Sequence, residues 1–126
     1  MDFNEIEWHD CVLRNIYIDR SNPGYQDIVK LSITTPDSKK LSITFEDVYH
    51  ADLNLNFNVI AEETIRSAEI NYSSDALKTI KEKWRQLSAE VSTLKQFEIT
   101  TNSTNSTITV YALKCHIDHD DDLANA

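Results

Sequence analysis

Between residues 75 and 91, apolar side chains recur at alternating steps of three and four: Leu77, Ile80, Trp84, Leu87 and Val91. That spacing puts all five on one stripe of a 3.6-residue helix, and it predicts one long helix lying on an apolar surface. Lys78, Lys81, Glu82, Lys83, Arg85 and Glu90 surround the stripe and meet water. Ser73 or Ser74 can accept a free backbone N–H as the N-cap, Asp75 sits at the positive end of the helix dipole, and Lys95 suits the other end.

Elsewhere the period is two, the signature of strands. A first strand follows Trp8, with Cys11, Leu13 and Tyr17 on one face and Val12, Ile16 and Ile18 on the other, which suggests a strand covered from both sides. Asn22-Pro23-Gly24-Tyr25 has proline second and glycine third, as a type II turn requires. Residues 27–35 return with Val29, Leu31 and Ile33 inward. After a turn at Thr35-Pro36-Asp37-Ser38, Leu41, Ile43 and Phe45 point inward again.

Alternation fails over 47–52 and resumes with Leu53, Leu55, Phe57 and Val59 against Asn54, Asn56 and Asn58, a fourth strand. Ala68, Ile70 and Tyr72 suggest a fifth, although 62–70 also fits a helix. Beyond the long helix, Phe97 and Ile99 open a hairpin that turns at 102–106 and returns over 107–117. The expected fold is α+β: an antiparallel sheet of about six or seven strands, a meander plus a C-terminal hairpin. The helix packs on one face through Ile80, Trp84 and Leu87. One domain spans 1–117, with a polar lead-in over 1–7 and a frayed acidic tail over 118–126.

Charge changes the picture more than composition does. The 126 residues carry a net charge of −9. Residues 75–95 hold five basic and three acidic side chains, so the acid lies off the helix. Such a surface repels nucleic acid and anionic membranes and favours a basic protein partner. The first residues lack a positive, apolar leader and no window reaches the roughly 18 apolar residues of a membrane span, so a cytoplasmic location is expected. Two cysteines imply no disulfide framework.

Catalytic signatures are sparse. A single glycine leaves little room for an oxyanion hole or a phosphate-binding loop. His9, His50, His116 and His119 each lie near an acid, but without the ligand spacing of a structural metal site. No catalytic residue, metal site or cofactor is therefore expected. The stretch where alternation fails combines acids with an aromatic ring, and Asp47, Tyr49, His50 and Asp52, with Glu62 and Glu63 further on, are the candidate partner-binding residues. Trp8 and Tyr49 are either interface anchors or packing residues.

Two stretches resemble a known family. Trp8-His9-Asp10-Cys11-Val12-Leu13, running to Ile18-Asp19-Arg20, is similar to the opening aromatic-His-Asp strand of the immunity protein 50 family, a group of bacterial proteins that neutralise polymorphic toxins. The second stretch, Ile43-Thr44-Phe45-Glu46-Asp47-Val48 followed by Asn56-Phe57-Asn58-Val59-Ile60, resembles two further elements of that family. Phe is usual there in place of Trp8, and the family's Gly before the Phe-Asn pair and Gln-Asn after it are missing. The resemblance covers the first half and implies a cytoplasmic protein that occludes a toxin domain without performing chemistry; together with the net charge it leads to the expectation of an inhibitor of a basic toxin or nuclease domain. Two other readings stand beside it: a structural module that self-associates, for example as a homodimer through strand edges, and a small hydrolase or metal-dependent enzyme.

Overall fold

The computed structural model describes residues 1–119. They form an antiparallel sheet of six strands with one α-helix: β1 (Val12–Asn22), β2 (Gln26–Thr34), β3 (Lys40–Asn54), β4 (Ile65–Asn71), α1 (Asp75–Trp84), β5 (Lys95–Thr101) and β6 (Thr107–His119). The sheet order is β1-β2-β3-β6-β5-β4. The fold is therefore α+β, as the pattern indicates.

The two sheet edges meet at one end. Val12 bridges Thr64, the Leu13 N–H donates to the Glu63 carbonyl at 2.8 Å, and the Ile65 N–H donates to the Cys11 carbonyl at 2.8 Å. Each of these bonds gives an edge backbone group the partner it would otherwise lack. The sheet thus curls into a partly closed barrel, and its inner face becomes the main core. Leu31, Ile33, Ile43, Phe45, Phe97, Ile99, Ile108 and Val110 fill it.

The residues before β1 plug this core. Phe3 is 1% exposed and Trp8 6%, and Ile6 is buried with them. The ring of Phe3 lies 4.7 Å from Trp8 and 5.2 Å from Phe97, and Phe97 lies 4.9 Å from Phe45. The indole N–H of Trp8 donates to the Phe3 carbonyl at 2.8 Å, so its one polar group is satisfied inside. The polar lead-in is thus a structural plug, and Trp8 is a packing residue. Its role stayed hidden because a short 3-10 helix, Phe3–Glu5, spaces the apolar side chains with neither strand nor helix period.

Three other expectations change. β1 bulges between Leu13 and Asn15, which moves Ile16 inward and leaves Tyr17 exposed, so this edge strand is not covered on both sides. β3 is one continuous strand across the 47–52 break. Asp47 takes a left-handed conformation (φ 54°), and an extra residue, Tyr49, bulges between Val48 and His50. The ladder then ends at Asn54. Asn56 donates its backbone N–H to the Ser106 hydroxyl at 2.9 Å instead of to a strand, and Phe57, Val59 and Ile60 are exposed.

The helix is shorter than its apolar stripe. It is capped by Ser74, whose hydroxyl oxygen accepts the Leu77 N–H at 3.0 Å, and it ends at Trp84. Ser88 is extended (φ −151°), after which a 3-10 helix, Ala89–Thr93, returns Val91 to the surface below. Leu77, Val91, Leu94 and Tyr111 form a small second cluster on the outer face of β6, with Ile80 and Trp84 half-buried at its margin. Leu87 is 77% exposed and takes no part. Lys95 lies in β5, where its ammonium donates to the Leu113 carbonyl at 3.2 Å. At the C-terminal end, Asp118 and His119 pair with Ser42 and Leu41 as part of β6. The remaining tail, 120–126, lies outside the described residues.

Candidate functional site

Near the bulge in β3 the sheet is open on one side. The β2–β3 ladder ends at the pair Ile28–Glu46, whereas β3 runs on to Asn54 with β6 beside it on the other side. Where the two strands separate lies a crevice of about 340 Å³. Val29, Val48, Ala51 and Leu53 give it apolar walls continuous with the core, and the exposed Ile18 adds an apolar rim. Asp19, Arg20, Asp27 and His50 supply its polar groups.

The hairpin tip that forms one wall is held by its own sequence. Gly24 has φ 82°, the left-handed position a type II turn needs, and the Tyr25 N–H donates to the Asn22 carbonyl at 3.1 Å. The Gly24 N–H donates to an Asp27 carboxylate oxygen at 2.9 Å. Asp19 accepts the Ser21 N–H at 2.8 Å, and this hydrogen bond holds its carboxyl below the usual carboxylate range. Asp19 is therefore ionised at neutral pH.

The six candidate residues fall into two groups. Four lie on β3. The Asp47 carboxylate is 3.6 Å from the Lys114 ammonium. Tyr49 donates its hydroxyl hydrogen to Ser88 at 2.9 Å, and its ring meets Trp84 edge-on at 5.9 Å, so that side chain ties β3 to the end of α1. The His50 ring stands 5.6 Å from the Tyr111 ring, and its Nε2 is 3.0 Å from an Asp52 oxygen. Tyr49 and His50 also border the crevice. Glu62 and Glu63 instead belong to the seam between the sheet edges. Glu62 pairs with Arg14 at 3.1 Å, and the Glu63 carboxylate accepts both the backbone N–H and the hydroxyl of Thr104.

Ile18, Asp19, Arg20 and Asp27 were not singled out as binding residues, yet they form the opposite wall. No local signal marks them, because the crevice arises where two ladders that share β3 have different lengths.

Other reactive groups are held in unreactive states. Burial pushes the Cys115 thiol up to about 12, with the Asp2 charge adding to it, and burial, then the Asp10, Asp37 and Glu7 charges, raises Cys11. Both thiols keep their protons at neutral pH, whereas a nucleophilic cysteine needs the thiolate. Burial, then the charges of Asp52 and Glu98, raises Tyr111 as well. His116 faces Glu46 at 3.4 Å and His9 faces Asp10 at 3.2 Å, both as exposed surface pairs. Among the described residues no group of three or more His, Cys, Asp or Glu side chains could hold a metal ion, and no helix is long and apolar enough to cross a membrane.

Comparison of the chain with protein-family models, with curated proteins and with solved structures finds no match in any of the three.

Proposed function

We propose that the chain is a small binding protein of the immunity type, which acts in the cytoplasm by occluding a basic toxin or nuclease domain. The observation that carries this reading is uncompensated acid on the surface. Among the described residues, ion pairs with lysine or arginine engage Asp37, Asp47, Glu62 and Glu82, while the chain as a whole carries 21 acidic against 12 basic side chains. A field of one sign speeds encounter with an oppositely charged partner, and desolvated apolar surface then slows its release. The crevice supplies such apolar surface beside Asp19, Asp27 and the His50–Asp52 pair. Asp47, Tyr49, His50 and Asp52 are the contact residues of this reading on β3, together with Glu62 and Glu63 of the seam.

The test is recovery of a basic chain from the native host that this protein protects against on co-expression, followed by association kinetics across salt. Reversing two charges, Asp47→Lys with Asp52→Lys, is expected to slow association about tenfold at low salt and to flatten its salt dependence. An unchanged rate removes this surface from the interface.

A second reading has its own support in the exposed run Phe57, Val59 and Ile60. Exposed apolar side chains close together suit self-association. Light scattering that finds a monomer at high protein concentration excludes it.

A further inference from the structure

Antiparallel sheets expose unpaired N–H and C=O groups at their edges, and proteins cover, charge or bulge those edges to prevent stray pairing. Here the outer edges, β1 and β4, meet in the Val12–Thr64 seam. Inside the sheet a third edge is left. Over Val48–Asn54, β3 is paired with β6 along one side, while the ladder on its β2 side has already stopped at Glu46. That free side faces the crevice.

Beyond the bulge at Tyr49 the wall alternates as a strand slot should. Ala51 and Leu53, with Val48 before the bulge, present their side chains to the inner, apolar side with Ile18 opposite, and Tyr49, His50 and Asp52 face the other way. Two carboxylates, Asp19 and Asp27, line it against one guanidinium, Arg20, and a third, Asp52, is bonded to the lining His50. We propose that this slot accepts an extended segment of the basic partner, inserted as an extra strand along Val48–Asn54, with apolar side chains on its inner face and lysine or arginine on its outer face.

Main-chain hydrogen bonds to β3 would give affinity, and the two faces of the slot would give specificity, the division of labour seen whenever a peptide extends a sheet. The assignment rests on the inhibitor reading for the source of the segment. The slot itself rests on the ladder.

Hydrogen exchange followed by NMR tests both, with a synthetic heptapeptide alternating lysine and valine as the probe. In the free protein every second amide between His50 and Asn54, the set turned away from β6, is expected to exchange quickly while the β6-paired set is slow. Saturating peptide is expected to slow the fast set at least about tenfold. A glutamate–valine heptapeptide leaves the fast set fast. Ile18→Lys, at a wall position already 46% exposed, removes an apolar contact and repels the basic peptide, so it abolishes the slowing while the β6-paired amides stay slow, which shows that the fold survives.

No slowing at millimolar lysine–valine peptide overturns the slot, and equal slowing by the acidic peptide overturns its charge preference. Protection without peptide that grows with protein concentration overturns it in favour of a second copy of this chain. The inhibitor reading fails separately. A protein that binds the peptide in the slot yet protects against no basic chain keeps the slot and loses the inhibitor. One that neutralises such a chain with the fast set unprotected in the complex loses the slot alone.

Discussion

The two faces of β6 are packed in different ways. Its inner face, Ile108, Val110 and Ala112, lies in a core completed by the other five strands and by the plug, with Phe3, Phe45 and Phe97 in mutual ring contact and Trp8 against Phe3. Its outer face, Tyr111 and Leu113, meets a thin layer in which Leu77, Val91 and Leu94 are buried but Ile80 and Trp84 are half-covered. The amphipathic helix therefore announces the smaller of the two clusters. A helical stripe shows that a helix has a surface to lie on, and it says nothing about how much of the protein's stability resides there.

Substitutions can break that comparison. Phe97→Ala and Phe3→Ala are both expected to cost about 3–5 kcal/mol, measured by urea denaturation. A near-zero effect of Phe3→Ala would return the first residues to the status of a lead-in. Trp84→Ala should cost about 1–2 kcal/mol, since its ring is half-buried and its lost contacts are with the Tyr49 ring and with the Lys83 ammonium, 5.4 Å from the indole centroid. A loss as large as that of Phe97→Ala would make the helix side an equal core.

The inner face also predicts a pH dependence. The folded Cys115 thiol ionises near 12 whereas its ordinary value is 9.0, so the unfolded chain loses that proton first. Its contribution to stability is complete below pH 9 and fades as pH rises toward 12. Tyr111, raised above its ordinary 10.0, acts in the same direction from the outer face. Cys115→Ala should flatten the alkaline decline in urea midpoint between pH 9 and 11 without abolishing it. The smallest effect belongs to Leu87→Ala, expected within about 0.5 kcal/mol of the parent protein because the side chain is already in water.

What could be read from the sequence follows locality. The turns at Asn22–Tyr25 and Thr35–Ser38 are visible because Pro, Gly and Asp act through adjacent backbone atoms, and both close with a hydrogen bond between their first and fourth residues. The inward positions of β2 are visible because a strand buried on one face must alternate. β3 is not, because a bulge adds one residue and shifts the phase, which on paper looks like a loop between two strands. The alternating asparagines after it mimic a strand while Asn56 spends its side chain on the Thr104 carbonyl at 3.0 Å. The helix stripe runs past its end because the 3-10 turn returns Val91 at a compatible spacing. The crevice has no local signature at all. It exists because two ladders sharing β3 have different lengths, a property of register between distant segments.

The plug carries a consequence for how the protein is made. Phe3 leaves the ribosome long before Phe97, against which its ring packs, and Cys11 before Ile65, whose N–H its carbonyl accepts. These earliest residues have no finished site to occupy until β5 and β6 have emerged, and such long-range closure is slow compared with forming a hairpin. Vectorial synthesis therefore cannot complete this fold piece by piece. The β1–β2 hairpin can form early, but its apolar face waits uncovered, and the nascent chain holds that face exposed until almost the last strand has been translated.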